Sequence, residues 1–180
     1  MQPSPQATCT VCSREFVRRN TMHRVCSPRC AIKTVKRAKS IERAEFKRRK
    51  EAAKSTSQWR KEAQAAFNAY IRKRDEDKPC ICCGRWSESE SRGGTWDCGH
   101  YRSTGSAPHL RFTEANAHRQ LKQCNRYGAG RAVDYRIGLI ARIGLPAVEA
   151  LEADQTPRKY TASDLRAIRD EYRARLKALQ

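Results

Sequence analysis

The sequence predicts a mostly helical α+β protein with a small N-terminal zinc unit, a long basic helix, a central zinc-stapled ββα-metal core and C-terminal helices. Three observations support this prediction. Closely spaced cysteines occur within residues 9–30 and again within 80–124. Stretches rich in Lys, Arg, Glu and Ala, with few Gly or Pro, lie between and after them. In several of these stretches the apolar residues recur at helical spacing.

The charge balance indicates the class of partner. Lys and Arg number 38 against 19 acidic residues, which gives a formal net charge of +19 on 180 residues. Such a basic chain favours a polyanion, with nucleic acid first and a membrane surface second. With 32% charged residues the chain cannot build one large core, so small units held by a staple are expected.

The N-terminus has no signal-peptide pattern, and no apolar run is long enough to cross a membrane. We therefore expect a protein of the host cell cytoplasm with no membrane partner. In that compartment the nine cysteines should be reduced thiols, and their spacing favours metal binding over disulfides.

The first cysteine group predicts a structural zinc site. Cys9 and Cys12 form one close pair, Cys26 and Cys30 form another, and thirteen residues separate the pairs. Four thiolates at this spacing can surround one Zn²⁺ with tetrahedral geometry. The alternative is a set of free thiols that never meet.

Residues 31–54 are expected to form an exposed basic helix, because they contain ten Lys and Arg against three Glu and good helix formers. The helix would contact DNA phosphates without reading sequence. The alternative is a solvated helix that only spaces two units. The predicted DNA-binding residues are Lys36, Arg37, Lys39, Arg43, Lys47, Arg48, Arg49 and Lys50.

Four further helices are predicted. One covers about 58–75, with Ser57 as its N-cap; a second ends at Gly144, and a short one follows at about 146–153. Thr161 begins the last one with a capping-box pattern. Apolar stripes within 59–71 and 165–179 are equally suited to a dimer surface or to an intrachain core.

A second zinc site is predicted in the middle of the chain, with three clear ligands. Cys80 and Cys83 lie on a turn that ends at a glycine, and Cys124 lies at the distance expected of a partner. Leu121 occupies the position where a second close pair would begin, and it has no ligand atom. The candidates for the fourth ligand are Cys82, Cys98 and His118. The alternative is a site that has lost its metal and is filled by apolar side chains.

Between these cysteines lies a constellation with catalytic chemistry. Asp97 offers a hard oxygen ligand for Mg²⁺ or Mn²⁺, and Asn125, directly after Cys124, could add a carbonyl oxygen. His100 could accept a proton from water and generate the attacking hydroxide. Asn116 is a candidate orienting residue. An Asp and a His between zinc-binding pairs, with an Asn following, are typical of His-Asn-His nucleases, and a structural role for the lone histidine is the alternative.

The chain resembles the NinG/Rap family of lambdoid phage recombination proteins. The resemblance covers the N-terminal cysteines, the basic helix and several short segments. These segments are Tyr70-Ile71-Arg72, Cys80-x2-Cys83-Gly84, Trp96-Asp97, Gly99-His100-Tyr101, Ala107-Pro108, Leu110-Arg111-Phe112, Tyr135-Arg136 and Ile143-Gly144. The resemblance implies a structure-selective endonuclease that acts on branched DNA, such as Holliday junctions and D-loops, with Mg²⁺ or Mn²⁺.

A looser likeness is to phage endonuclease VII, which implies roles for Asp97, His100 and Asn125. Cys98 stands where that enzyme has its first histidine. Two positions depart from these patterns. Leu121 replaces a family cysteine, and Arg126 with the residues after it replaces the downstream His or Lys of many ββα nucleases.

The leading hypothesis is therefore a homodimeric junction endonuclease, since symmetric cutting of a four-way junction favours a two-fold enzyme. Its expected parts are the N-terminal four-cysteine zinc unit (1–30), the basic helix (31–56), an HNH-like core (57–154) and a C-terminal helix (155–180). The alternatives are a zinc-containing protein that binds branched or single-stranded nucleic acid without cutting, and an RNA-binding translation factor.

Overall fold

The computed structural model describes residues 6–87 and 95–180, and the chain divides into two units, Met1–Lys54 and Ser55–Gln180. Each unit is described by itself below. Within the described ranges the architecture is mostly helical with two small antiparallel sheets, as the sequence predicts.

The first unit consists of a short hairpin and one long helix. Strands β1 (Gln6–Thr8) and β2 (Glu15–Val17) pair antiparallel, and helix α1 covers Pro28–Ala52. Ser27 caps this helix, because its hydroxyl accepts a hydrogen bond from the Cys30 backbone N–H at 3.4 Å. Cys30 is the one buried residue of α1, so almost the whole predicted basic helix is in contact with solvent.

The second unit is organised around two helices that pack against each other. Helix α2 covers Thr56–Arg74 and α5 covers Ala162–Ala178. The N-cap of α2 is Ser55, in a capping box with Gln58, and not the predicted Ser57, whereas the Thr161 capping box is present as predicted. The two apolar stripes meet in one intrachain core. Its buried members on these helices are Trp59, Ala63, Ala66, Phe67, Tyr70, Ile71, Leu165 and Tyr172.

A two-stranded hairpin lies against this helix pair. Strand β3 (Trp96–His100) pairs antiparallel with β4 (Ala117–Leu121), and Asp97 is opposite Gln120. One face contributes Cys98 and Ala117 to the α2–α5 core. The other face is so close-packed that a Cβ added at Gly99 would lie 2.0 Å from the Gln120 side-chain oxygen.

Helices α3 (Ala132–Ile143) and α4 (Leu145–Ala153) form a second core beside the hairpin, and Gly144 with φ +85° makes the turn between them. Tyr135 on α3 is buried, and its hydroxyl donates to the Gly99 carbonyl at 3.0 Å. This bond fixes α3 against β3. In residues 6–87 and 95–180, every helix is too short or too polar to serve as a membrane span.

Candidate functional site

The four cysteines of the first unit converge as the spacing predicts. The Sγ atoms of Cys9, Cys12, Cys26 and Cys30 all lie within 4.8 Å of one another. The Cys12–Cys26 and Cys26–Cys30 sulfur distances are 3.5 and 3.8 Å. Zinc–sulfur bonds of about 2.3 Å in a tetrahedron place the sulfurs about 3.8 Å apart, so this cluster could hold a zinc ion.

A second cluster forms in the larger unit, and its fourth thiol belongs to Cys82. Its members, Cys80, Cys82, Cys83 and Cys124, also have their sulfur atoms within 4.8 Å of one another. The Cys80–Cys82 and Cys83–Cys124 sulfur distances are 3.5 and 3.6 Å. This cluster too could hold zinc, and all nine cysteines of the chain are free of disulfides.

The other two candidates for the fourth ligand lie elsewhere. Cys98 is buried in the core against α2. His118 is 3% exposed and its ring lies beside that of Tyr135, with centroids 6.4 Å apart. Burial, followed by the nearby charge of Arg74, lowers the pKa of His118 to about 3. Neither residue belongs to the thiol cluster, so the structure favours Cys82 over both of them as the fourth ligand.

Leu121 packs beside the second cluster without taking the place of its fourth thiol. Its side chain is buried against Cys80 and Cys124, and its backbone N–H donates to the Cys80 sulfur at 3.3 Å. Gln120 donates to the Cys82 sulfur at 3.3 Å. Hydrogen-bond donors of this kind stabilise thiolates. Leu121 can therefore occupy its position without preventing four thiols from forming the cluster.

The turn that carries three of these cysteines is held from two sides. Gly84 adopts φ +65°, and its N–H donates to the Cys80 carbonyl at 2.9 Å. Burial raises the pKa of Cys83, but hydrogen bonds from Arg85 outweigh it and lower the pKa to about 7. Helix α3 approaches the turn so closely that a Cβ at Gly138 would lie 1.8 Å from the Ile81 carbonyl oxygen.

The segment after β4 brings Asn125 to Asp97. A wide helical turn, Gln123–Tyr127, contains Cys124 and is thereby anchored at the thiol cluster. Asn125 donates from Nδ2 to Asp97 Oδ2 at 3.0 Å. Arg126 adds two bonds, from Nε to Oδ2 at 2.8 Å and from Nη2 to Oδ1 at 3.1 Å. Arg126 is thus a site residue whose role was not predicted from the sequence.

His100 faces the opposite side of β3 from Asp97, because the residues are an odd number of positions apart on one strand. Its ring centroid lies 6.0 Å from that of Phe67 on α2. Nε2 lies 3.1 Å from the Arg111 carbonyl oxygen, which can only accept, so Nε2 carries the proton and Nδ1 the lone pair. Burial lowers the pKa of His100, which favours the neutral ring at neutral pH.

Asn116 is buried and uses its amide to close the long connection between β3 and β4. Its Oδ1 accepts from the Arg102 N–H at 2.8 Å, and Nδ2 donates to the carbonyls of Arg102 at 3.0 Å and Leu110 at 3.2 Å. These bonds fix the segment directly after His100. The Asn116 amide therefore holds the backbone of this connection in place, and its role as an orienting residue in catalysis stays a prediction.

A cavity of about 580 Å³ adjoins this region. His100 and Asn125 both line it, together with polar side chains such as Ser103, Ser106 and Glu152. Two of the predicted site residues thus reach one cavity, and Asp97 is tied to it through Asn125.

A buried carboxylate behind the hairpin is a second feature that was not predicted from the sequence. Asp75 is 0% exposed and receives two bonds from Arg74, at 2.8 and 2.9 Å, and one from the Arg119 N–H at 3.2 Å. Burial opposes its ionisation, but the Arg74 bonds and charge outweigh it and lower the pKa to about 2. The sequence signal for this ion pair was the position of Asp75 directly after the basic residues 72–74.

The predicted DNA-binding residues all lie on α1 and are exposed. One of them, Arg49, also approaches Glu45 at 3.9 Å. The basic surface is therefore available to a polyanion, although exposure alone does not identify one.

Comparison with known proteins gives one consistent family. The family model described as bacteriophage lambda NinG protein matches residues 1–180. The chain is 42% identical to protein ninG of Salmonella phage P22 over 174 residues, which covers 86% of this chain and 83% of that protein. It is 41% identical to protein ninG of Escherichia phage lambda over 174 residues, with the same coverage of 86% and 83%.

A third relative, protein ninG of Escherichia phage 933W, is 45% identical over 135 residues, or 75% of this chain and 65% of that protein. No solved structure matches the chain significantly. Because the family match spans the whole length, the chain belongs to the NinG family of bacteriophage proteins.

Proposed function

We propose that this protein is a metal-dependent endonuclease that cuts branched DNA, including Holliday junctions and D-loops, in phage recombination. The observation that carries the proposal is the arrangement of Asp97 and Asn125. The second thiol cluster anchors the turn Gln123–Tyr127, and this turn brings the Asn125 side chain to Asp97. The adjoining cavity is lined by His100 and Asn125. Carboxylate and amide oxygens at such a point are suited to Mg²⁺ or Mn²⁺.

In this proposal Asp97 and Asn125 hold the divalent cation. The Asn125 amide now points its nitrogen at Asp97, so it would rotate to present Oδ1. Arg126 would release Asp97 and pair with a DNA phosphate instead. When bound, the cation supplies stabilisation of the charge that develops on the phosphate and on the leaving oxygen.

His100 serves as the proton acceptor. Its Nδ1 carries the lone pair, and burial lowers the pKa of His100, which favours the neutral ring at neutral pH. Asn116 holds the following segment in place through three hydrogen bonds. A water molecule in the cavity would lose its proton to His100 as it attacks the phosphorus atom.

The basic face of α1 would provide the sequence-independent attraction to DNA phosphates. We expect the protein to prefer branched DNA over linear duplex, because the family resemblance implies a structure-selective enzyme. Symmetric cutting of a four-way junction would be the task of a homodimer.

The test is cleavage of a labelled four-way junction, with linear duplex of the same sequence, in Mg²⁺, Mn²⁺ and EDTA. We expect metal-dependent cutting of the junction by the wild-type chain. His100→Ala and Asp97→Asn should each reduce the rate by at least about a hundredfold. His109→Ala is the matched control, because His109 bonds the Asp154 carbonyl and is absent from the cavity lining.

Zinc content and junction affinity of every variant would be measured beside the rate, so that a folding defect is not mistaken for a catalytic one. A wild-type chain that binds the junction but leaves it intact in every metal would overturn the proposal.

One observation favours a second candidate, a branched-DNA-binding protein that does not cut. Arg126 already neutralises Asp97, and the His100 ring packs on the opposite side of the strand. Tight binding without cleavage, unaffected by Asp97→Asn, would support this candidate.

A further inference from the structure

Helix α1 carries large apolar side chains that are exposed among the described residues of its unit. Ile32, Val35 and Phe46 are 55%, 53% and 69% exposed. A 25-residue helix with one buried residue gains little from tertiary packing, and isolated helices are marginally stable in water. Such a helix is expected to have a partner along its apolar seam.

These residues fit the spacing of a seven-residue repeat in which three of six seam positions are apolar and three are charged. Its first and fourth positions are, in order, Ile32, Val35, Lys39, Glu42, Phe46 and Arg49. This is the spacing by which two helices pack knobs into holes. Ile41, 52% exposed, lies outside the seam.

The order of charges on the seam indicates which helix can pack against it and whether the two helices run parallel or antiparallel. Two copies aligned in parallel would place Lys39 against Lys39 and Glu42 against Glu42. Two copies aligned antiparallel, about a point between residues 40 and 41, place each Lys39 against the partner copy's Glu42. The same register places each Val35 against the other copy's Phe46, and each Ile32 against the aliphatic stem of Arg49.

We propose that α1 pairs antiparallel with α1 of a second copy of this chain, through the seam from Ile32 to Arg49. This surface is independent of whether the chain cuts DNA. It leaves Lys33, Arg37 and Lys47, which lie away from the seam on the same helix, free for phosphate contacts. The stripes on α2 and α5, the earlier candidates for a dimer surface, are occupied by each other.

One flank of the pair opposes association. Lys36 of one copy lies near Arg43 of the other, so like charges face each other along that edge. Screening reduces this repulsion as well as the Lys39–Glu42 attraction, so the pairing is tested at about 0.15 M salt, where the Debye length is about 8 Å.

The test is sedimentation analysis of the full zinc-loaded chain across the micromolar range at about 0.15 M salt. We expect a concentration-dependent dimer. Lys39→Glu and Glu42→Lys should each raise the dimer dissociation constant at least about tenfold, because each places like charges at two symmetric contacts. The double variant that exchanges the two charges should restore the wild-type value.

The single variants change the net charge in opposite directions, so a shared loss of dimer cannot result from net charge. Arg37→Glu is the matched control on the far side of the helix, and it should dimerise like the wild type. A wild-type chain that stays monomeric, dimers that tolerate both single reversals, or an α1 seam that binds anionic vesicles and no second copy would each overturn the proposal.

Discussion

Arg126 holds Asp97 in a two-point ion pair, with Nε–Oδ2 and Nη2–Oδ1 distances of 2.8 and 3.1 Å. The Asp97 side chain is 14% exposed. Burial raises the pKa of this carboxyl, but the bonds from Arg126 and Asn125 outweigh burial and lower it. Asp97 is thus ionised and already paired with a positive charge. Any divalent cation at Asp97 has to compete with that guanidinium.

This competition predicts that Arg126→Ala binds Mn²⁺ more tightly than the wild type. Removal of a nearby positive charge favours a cation at Asp97, and we expect an improvement of about tenfold. Electron paramagnetic resonance of free Mn²⁺ in titrations of the zinc-loaded chain measures the dissociation constant directly.

Two variants control this measurement. Arg166→Ala removes an exposed ion pair with Asp170, at 4.0 Å, and should leave Mn²⁺ binding unchanged. Asp97→Asn should abolish the gain in an Arg126→Ala background. Equal Mn²⁺ affinity of wild type and Arg126→Ala would show that Asp97 is not a cation ligand.

A second prediction concerns the contact between α3 and the cysteine turn. Gly138→Ala would place a methyl group 1.8 Å from the Ile81 carbonyl oxygen, which belongs to rigid backbone. Helix α3 would have to move away, at a cost of about 1–3 kcal/mol in the free energy of unfolding. Because Ile81 lies between two thiols of the second cluster, zinc should also be released faster to a chelator.

Gly105→Ala is the matched control, since its added Cβ would meet nothing closer than Ser103 Oγ at 3.8 Å. It should keep the wild-type stability and rate of zinc release. If both variants behave alike, the close approach of α3 to the turn does not limit stability.

A third prediction follows from the buried carboxylate Asp75. Its folded-state pKa of about 2 lies below its ordinary value of 3.8, so its stabilisation is complete above that value and is lost as the pH falls toward 2. Asp75→Asn removes the buried charge that pairs with Arg74, although Arg74 keeps its bonds to Glu114 and to the Ala117 carbonyl. The loss should cost about 3 kcal/mol at neutral pH.

The measurement is chemical denaturation of both proteins at about pH 5 and about pH 3. Acid also weakens zinc binding, but that effect is common to the two proteins and cancels in their difference. The difference in unfolding free energy should shrink at the lower pH. A difference that does not change with pH would mean that Asp75 titrates normally in the folded chain.

The sequence predicted the helices well, because their apolar spacing and caps are local signals. The stripes on α2 and α5 and the Thr161 capping box appear in the structure as periodicity indicates. The pairing of these two stripes could not be derived, because periodicity shows that a face is buried and leaves its partner open.

The candidate site was predicted in part for a similar reason. The close pairs Cys9/Cys12, Cys26/Cys30 and Cys80/Cys83 were visible as local spacing, and the position of Asn125 directly after Cys124 indicated that it follows the thiol cluster toward Asp97. Asp97 and His100 were expected on one strand, and their three-residue separation places them on opposite faces of β3, a consequence that the sequence analysis did not draw. The pairing of Arg126 with Asp97 depends on the wide turn Gln123–Tyr127, which has no simple sequence signature.

The choice of Cys82 over Cys98 in the second cluster is the most direct consequence of the three-dimensional arrangement. Cys82 lies on the turn with Cys80 and Cys83, and its sulfur accepts a hydrogen bond from Gln120. Cys98 is buried in apolar surroundings, and burial raises its pKa to about 12, so it should remain a neutral thiol.

Cys82→Ser should therefore lower the zinc content of the purified chain from two ions to one, whereas Cys98→Ser should keep both. A serine hydroxyl is a poor zinc ligand, so three thiolates would hold the second ion much more weakly. Each substitution replaces one sulfur atom by oxygen, so Cys98→Ser is the matched control for Cys82→Ser. Elemental analysis by mass spectrometry counts zinc per chain, and a thiol-reactive dye counts released cysteines. Two zinc ions in Cys82→Ser and one in Cys98→Ser would reverse the assignment, and one zinc in the wild type would mean that Leu121 has emptied the second cluster.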